Sequence, residues 1–569
     1  MRKTLLFFTI LLSCLSFFSQ NLDFKWSEQF RFDNKLDGFF DMFVGTNEQF
    51  IYAKFSNLSL RQKKANKKIK LIAFDKKTMK KLTEVPLKGY DKDSEKLDYV
   101  STFVFKKMIY LVWKIESKKK KEYFLQSFDD KLKKLNKLTK VYELFSENGK
   151  FDDFVIRANE SSSKILFLKE LPITKDDENL RIEYKLLNSD LNFNSARQVT
   201  LPVKFTKKRR GLFSSNKGVK MNYTLGDDQN LYINDLIKMD EEDRKDLKKR
   251  ESFVYTYFAQ VNLNSGTVKD YKVKYDAKNT FQVSFLMDKG KLKLYGFFSD
   301  LNKDTRGTDT HGIFYVGING TNFKVETTHF EYFEKNFLDQ LYARDKEDQK
   351  EGKGLLKGKK AKESDNTSIN DSYEIEQSVS EGNYLTLFCS MKYNYQTTTC
   401  NSQGACRTNY YCRKKNVTVF RLNQEGKFVW AKNVDREIVY NGTDIYDLKV
   451  IQINQNYYAL YGTSRDLKGK RARLSSFNDK FEYAVFSGSD GSYKRAECIV
   501  NQKGIRRKDK KLVFLNGISI LDNRMYIVSA KARPKTGLYF TMLVPPVYYF
   551  LRFNMNMYKG KGFIGNISL

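Results

Sequence analysis

The chain has 569 residues, of which 102 are Lys or Arg and 68 are Asp or Glu, so its formal net charge is +34. Aromatic residues make up 15% of the sequence, which excludes disorder throughout, and 6 prolines exclude a collagen-like or Pro-rich protein. The chain has 2 histidines, which excludes mechanisms that need several imidazoles.

The N-terminus has the pattern of a secretory signal peptide. Arg2 and Lys3 precede an apolar run that continues to Phe18, and polar sequence begins at Ser19. The run is shorter than the ~20 apolar residues of a membrane-spanning helix. We therefore predict a signal peptide over residues 1–20, no later transmembrane segment, and an extracytoplasmic location: periplasm, cell surface or medium. Cys14 leaves lipidation as the alternative.

Two sequence landmarks alternate eight times along the rest of the chain. The first is a polar turn followed by a short strand rich in Tyr, Ile and Leu, as in Asn47–Tyr52, Lys107–Val112 and Asn523–Val528. The second is an apolar strand that ends in an Asp/Asn turn before a Lys-rich strand. Its instances are Phe74-Asp75, Phe128-Asp129, Leu187-Asn188, Val261-Asn262, Ile318-Asn319, Leu422-Asn423, Phe477-Asn478 and Phe553-Asn554.

Each repeat therefore predicts two consecutive hairpins, or four antiparallel strands. A single such sheet cannot bury both faces, whereas a ring of sheets can, so residues 21–569 are predicted to form one all-β domain, a β-propeller of seven or eight blades, with eight favoured. The stretch Phe24–Phe30 is similar to Phe428–Lys432, so the N-terminal strand is predicted to complete the last blade. One or two β-sandwiches are the alternative fold.

Two excursions interrupt the repeats. A charged stretch of about 343–372 is predicted to be a flexible insertion, preceded by a helix over Phe330–Ala343. A Cys-rich loop of about 392–412 follows, and the two could form one cap. The disulfide candidates are Cys389, Cys400, Cys406 and Cys412, with Cys498 left over; zinc is the disfavoured alternative because paired Cys-x2-Cys spacing is missing.

One loop has the spacing of a calcium site. Asp300, Asn302 and Asp304 place three oxygen ligands at alternate positions, although Thr305 stands where calcium loops use Gly. An ordinary Asp/Asn turn is the alternative, and no other cofactor is predicted. His311 and His329 belong to the same repeat and could form a dyad, although a turn histidine is usually only solvated.

The alternating hairpins resemble the secreted bacterial β-propeller proteins of unassigned function. No Gly-x-Ser-x-Gly elbow, P-loop or dinucleotide fingerprint is present, because Ser487–Gly491 lacks the first glycine of the elbow. The lysines indicate either a solvated surface or a surface for a polyanion, and the missing Arg-rich modules disfavour nucleic acid.

The leading hypothesis from the sequence is a non-enzymatic exported propeller that binds an acidic polysaccharide or an envelope protein. The alternative is a hydrolase or lyase that acts on an acidic glycan, because such enzymes need only two well-placed carboxylates or a tyrosine. A calcium-dependent adhesin is the third hypothesis. The oligomeric state is left open.

Overall fold

A computed structural model describes most of the chain. The described residues are 22–33, 39–56, 69–87, 97–105, 108–135, 138–145, 154–159, 163–171, 179–187, 194–204, 222–238, 254–273, 275, 277–288, 290–303, 309–350, 368–369, 373–400, 406–441, 448–462, 480–501, 511, 518–522, 524–534 and 558–568. The predicted signal peptide lies outside them.

The described strands form eight antiparallel sheets, and the chain folds as an eight-bladed β-propeller. This confirms the predicted all-β propeller and fixes the blade number at eight. The first two strands are β1 (Asp23–Trp26) and β2 (Phe30–Asp33). Blade 1 contains β3 (Phe39–Thr46), β4 (Phe50–Ser56), β5 (Ile69–Asp75) and β6 (Lys81–Leu87). Blade 2 contains β7 (Asp98–Phe105), β8 (Met108–Glu116), β9 (Lys120–Asp129) and β10 (Thr139–Phe145).

The next three blades repeat the same meander. Blade 3 contains β11 (Phe154–Ala158), β12 (Ile165–Glu170), β13 (Asn179–Leu187) and β14 (Arg197–Lys204). Blade 4 contains β15 (Asn222–Leu225), β16 (Asn230–Lys238), β17 (Val254–Asn262) and β18 (Val268–Val273). Blade 5 contains β19 (Lys278–Asp288), β20 (Lys291–Asp300), β21 (Gly312–Asn319) and β22 (Val325–Tyr332).

The last three blades include the longest strands and the closing sheet. Blade 6 contains β23 (Tyr373–Glu381), β24 (Tyr384–Cys400), β25 (Cys406–Leu422) and β26 (Phe428–Asn441). Blade 7 contains β27 (Lys449–Ile453), β28 (Asn456–Tyr461), β29 (Lys480–Ser487) and β30 (Tyr493–Ile499). Blade 8 contains β31 (Ser519–Leu521), β32 (Arg524–Pro534) and β33 (Tyr558–Ser568), and β33 also pairs with β1 and β2. The N-terminal strand therefore completes the last blade, as predicted.

The first sequence landmark marks the second strand of every blade. These strands have near-continuous buried runs, for example Ile109–Trp113 in β8 and Leu292–Asp300 in β20, because neighbouring sheets cover both of their faces. Outer strands alternate instead, as β6 does, since one of their faces reaches solvent.

In five of the blades whose turn is described, the second landmark marks the turn between the third and fourth strands. In blade 4 the Asn262 side-chain oxygen accepts hydrogen bonds from the backbone N–H groups of Asn264 and Ser265, and Asn319 makes the same turn in blade 5. The predicted turns at Asn188, Asn478 and Asn554 lie outside the described residues. In blade 7 the third strand ends instead at Ser487.

The blades fall into two compact units, each with its own core. The first unit comprises the described residues within 1–98, 129–133 and 443–569, which hold blades 1, 7 and 8. In it, Phe43 and Ile51 of blade 1 pack in one cluster with Tyr526 and Ile564 of blade 8.

The second unit holds blades 2 to 6, apart from the blade 2 turn within 129–133. Each successive pair of its blades shares a hydrophobic cluster. Tyr232 of blade 4, for example, packs in one cluster with Leu294 and Phe314 of blade 5.

The helix α1 (Lys335–Lys350) follows blade 5. It begins five residues later than predicted, because Phe330–Tyr332 remain in β22. Phe337, Leu338 and Leu341 pack in the cluster that blades 5 and 6 share. The predicted insertion is therefore helical to Lys350, and most of its remainder lies outside the described residues. No helix in the described part of the chain has the length and apolarity needed to cross a membrane.

Candidate functional site

The calcium candidate Asp300 lies at one end of blade 5 and is paired with protein groups. Its Oδ2 accepts a hydrogen bond from the Tyr332 hydroxyl at 2.5 Å and lies 2.9 Å from the Lys278 Nζ. Its Oδ1 accepts the backbone N–H of Asn302 at 3.0 Å. Lys278 is the register partner of Asp300 across β19 and β20, whereas Tyr332 ends β22, two strands away. Both carboxylate oxygens therefore hold donors from the protein itself.

Glycine at position 312 makes this arrangement possible. Gly312 is the register partner of both Phe298 and Tyr332, whose rings meet edge to face with centroids 5.0 Å apart. A Cβ at Gly312 would lie 2.7 Å from the Phe298 ring and would also collide with the Glu331 carbonyl oxygen. The missing side chain lets Tyr332 reach across β21 toward Asp300.

Hydrogen bonding sets the charge state of the three groups. Burial alone would raise the pKa of Asp300, but the donors Tyr332 and Lys278 outweigh it and lower the pKa to about 2. Burial and the hydrogen bond to Asp300 raise the pKa of Tyr332. Burial opposes the charge on Lys278, yet its bonds to Tyr332 and Asp300 raise its pKa. At neutral pH the site therefore contains a carboxylate, an ammonium and a protonated phenol.

A second lysine joins the exposed side of the site. Tyr332 is 37% exposed, and the Nζ of Lys303 lies 4.5 Å from its ring centroid. The Nζ of Lys278 lies 4.9 Å from the same centroid. Both contacts are cation–π interactions. We call Lys278, Asp300, Lys303 and Tyr332 the blade 5 site; its formal charge is two ammonium groups against one carboxylate.

The two histidines have separate structural partners. His311 is 2% exposed, its Nδ1 accepts the backbone N–H of Asp300 at 3.1 Å, and burial lowers its pKa. His329 lies opposite Tyr315 in register and its Nε2 is 2.5 Å from Glu331 Oε2. Among the described hydrogen bonds neither histidine contacts the other. His311 therefore supports the blade 5 site as a buried, neutral side chain that accepts the backbone N–H of Asp300.

The calcium site stays a prediction. Asp304 lies outside the described residues, and within them no group of three or more His, Cys, Asp or Glu is placed to hold a metal ion.

The end of the insertion returns beside the blade 5 site. Thr310 and Ile369 exchange two backbone hydrogen bonds, of 2.9 and 2.7 Å, in an isolated antiparallel bridge. Thr310 directly precedes His311, so this bridge anchors the insertion next to the site.

The predicted Cys-rich loop is a hairpin rather than a loop. Strands β24 and β25 have 17 residues each, and Cys400 faces Cys406 in register at the end of the ladder. Cys389 faces Thr418 and carries a free thiol that is fully buried. Cys412 is buried opposite Asn394. The register therefore places Cys400 opposite Cys406, whereas the residues opposite Cys389 and Cys412 are Thr418 and Asn394.

Sequence reasoning named Asp300, as a calcium ligand, and did not name Lys278, Lys303 or Tyr332. Tyr332 and Lys278 are separated from Asp300 by 32 and 22 positions, and only the strand register joins them. The signal available in the sequence was a glycine at the start of β21, which marks a close crossing.

Solved β-propeller structures resemble the chain only at low sequence identity and low TM-score. No protein-family model matches the chain, and no curated protein matches it. Among solved structures, the β-propeller domain of the Trilobed protease from Pyrococcus furiosus is 9% identical, with a TM-score of 0.33 over 80% of this chain and 94% of that one. The WD40 domain of SCAP from fission yeast is 8% identical, with a TM-score of 0.34 over 96% of this chain and 98% of that one. Similarity this low says nothing about activity, and the strand pairing defines the fold.

Proposed function

We propose that the protein is an exported binding protein and that its blade 5 site holds the acidic groups of a polysaccharide. The observation that carries the proposal is an exposed phenol between two ammonium groups, only one of which is neutralised by Asp300. A carboxylate or sulfate can accept hydrogen bonds from the Lys303 ammonium and compete for the Tyr332 hydroxyl. Export is proposed from the N-terminal sequence.

A polysaccharide is favoured over an envelope protein as the partner. The site is small and polar, and the Lys303 ammonium lies over the ring of the partly exposed Tyr332. Protein interfaces depend instead on buried apolar anchors. A repeating acidic polymer can bind such a site weakly at many positions along its length.

A glycan hydrolase or lyase is the second candidate. The hydrogen bond between Tyr332 and Asp300 favours it, because a phenol that is held by a carboxylate can donate a proton. The raised pKa of Tyr332 weighs against a lyase base, which has to be deprotonated near its working pH. Binding without turnover is therefore the better-supported function.

Titration of the mature chain with polygalacturonate tests the proposal. We expect Tyr332→Phe to weaken binding roughly tenfold or more, because a hydrogen bond to a charged group contributes about 1.5–3 kcal/mol. Lys303→Gln should weaken it by up to about fivefold, since an exposed ion pair contributes up to about 1 kcal/mol. Added salt should weaken binding as well.

Lys427→Gln is the matched control, because it removes an exposed ammonium from a turn of blade 6. Equal losses for Lys303→Gln and Lys427→Gln would show that the polymer responds to diffuse charge alone and would reject the blade 5 site. A fall in polymer viscosity, or the appearance of unsaturated products, would favour the enzyme instead.

Calcium at Asp300, Asn302 and Asp304 is proposed only as a stabilising ion. Its test is the melting temperature of the chain in calcium and in excess chelator. An identical melting temperature in both would reject the calcium site, and with it the adhesin hypothesis.

A further inference from the structure

A polar cleft separates blades 4 and 5 at the end of the sheets opposite to the blade 5 site. Its volume is about 600 Å³, within the range of about 300–1,000 Å³ of ligand sites. It opens beside the turns that connect the first two and the last two strands of each blade. The residues that line it include Asp228, Gln260, Thr267, Lys269, Gly320 and Thr321.

The floor of the cleft is a fixed hydrogen-bonded chain. Gln260 is 5% exposed, and its Nε2 donates to the Tyr232 hydroxyl and to the Gly320 carbonyl, both at 3.2 Å. The Tyr232 hydroxyl in turn donates to Asp228 Oδ2 at 2.6 Å. Because the amide nitrogen is committed, Gln260 keeps its Oε1 as an acceptor for a ligand.

The walls come from both blades. On one side, Ser265 Oγ donates to Thr267 Oγ1 at 2.8 Å within the turn that follows β17. Across the cleft, Lys269 of blade 4 donates to the Thr321 carbonyl of blade 5 at 3.2 Å. Short hydroxyl and amide side chains thus surround a space held open by two rigid turns.

The next pair of blades shows why this cleft is open. The corresponding cleft between blades 5 and 6 has a volume of about 240 Å³. Lys293 there occupies the strand position that Tyr232 has in blade 4, two residues after the strand begins. Its Nζ donates to Ser380 Oγ and to the carbonyls of Gly382 and Tyr384. At this repeat position the Lys293 ammonium bonds across to the next blade, whereas the buried Tyr232 accepts a hydrogen bond from Gln260 of its own blade.

We infer that the cleft between blades 4 and 5 binds a short uncharged oligosaccharide. Among the described residues that line the cleft, the carboxylate of Asp228 and the ammonium of Lys269 cancel in formal charge. The other polar groups are amides and hydroxyls, which both donate and accept hydrogen bonds, as sugar hydroxyls do. An acidic ligand would meet the Asp228 carboxylate, and an apolar one would offer no donor to Gln260 Oε1. This site is independent of the proposed polyanion site.

Calorimetric titration of the mature chain with maltotriose, cellotriose and triacetylchitotriose tests the inference. We expect at least one of the three to bind and Thr267→Trp to weaken it tenfold or more, because the indole would fill the mouth of the cleft. Thr78→Trp is the matched control: Thr78 is also an exposed turn threonine, bonded to its own turn through Asp75.

The outcomes separate this inference from the proposed function. Thr267→Trp should leave polygalacturonate binding unchanged, and Lys303→Gln should leave trisaccharide binding unchanged. The inference is overturned if none of the three trisaccharides binds, or if Thr267→Trp and Thr78→Trp reduce binding equally.

Discussion

Single residues decide how the repeated turns and the blade 5 site are built. Wherever the turn before the fourth strand of a blade is described, one of its residues has a left-handed backbone, which costs most side chains about 1–2 kcal/mol. Blades 4 and 6 use Gly266 and Gly426 there, whereas blades 1 and 5 use Met79 and Phe323. Met79 is buried in the core of the first unit, and burying such a side chain contributes about 1.5–3 kcal/mol. Burial therefore outweighs the backbone cost.

Gly312→Ala tests the close crossing in the blade 5 site. We expect a loss of about 1–3 kcal/mol in the free energy of unfolding, because the new methyl group overpacks Phe298 and the Glu331 carbonyl. Urea denaturation measures the loss. Gly317→Ala in the same strand is the control, because its Cβ would make ordinary contacts of 3.5 Å. A Gly312→Ala variant as stable as Gly317→Ala would contradict the crossing.

His311 predicts a loss of stability in weak acid. Burial lowers its pKa in the folded chain, so below about pH 6.5 the unfolded state binds a proton that the folded state excludes. The melting temperature should therefore fall as the pH drops below about 6.5. In His311→Asn, whose amide oxygen can still accept the Asp300 N–H, this fall should shrink.

The interpretation of His311 is wrong if His311→Asn keeps the full wild-type decline in melting temperature.

At the scale of strands, periodicity predicted more than side-chain chemistry did. The first landmark identified the second strand of all eight blades, because a strand covered on both faces has to be apolar along its length. The second landmark failed at Asn478 for a physical reason. In blade 7 Ser487 holds the strand-end position that Asp or Asn holds in the other described turns, so the apolar-Asp/Asn pair is missing there.

The hairpin of β24 and β25 predicts one disulfide. Cys400 and Cys406 face each other in register, so peptide mapping of the unreduced protein should find them linked. The bridge should contribute at most about 2 kcal/mol, because the loop it closes is short. Cys389 should react with iodoacetamide only after unfolding, since burial raises the pKa of its thiol. A Cys389–Cys412 bridge would contradict the register.

Over the whole molecule, each blade buries its faces on its neighbours within a unit. Pattern reasoning predicted this because no single sheet can hide both faces. It could not predict the blade 5 site, since Lys278 and Tyr332 reach Asp300 only through strand register and a glycine crossing. It named Asp300 as a calcium ligand, which stays a prediction, because a metal loop and a hydrogen-bonded Asp turn share their spacing.

Phe30→Ala tests whether the first unit responds as a unit. Phe30 of β2 is buried in the cluster that blades 1 and 8 share, and removing such a ring costs about 3–5 kcal/mol. Hydrogen exchange should accelerate in β4, β5 and β32, whereas β20 should keep its protection. Phe145→Ala is the control, because Phe145 is 69% exposed. Equal acceleration in β20 would show that the units do not open separately.

The pairing of Asp23 with Ser568 has a practical consequence. Because these two residues lie side by side in one sheet, a short linker can join them in a circularly permuted chain whose new termini lie in an exposed turn. Such a rearranged chain would make the closing sheet from contiguous sequence. Comparing its refolding rate with that of the parent would show how far the pairing of β1 with β33 limits refolding of the parent.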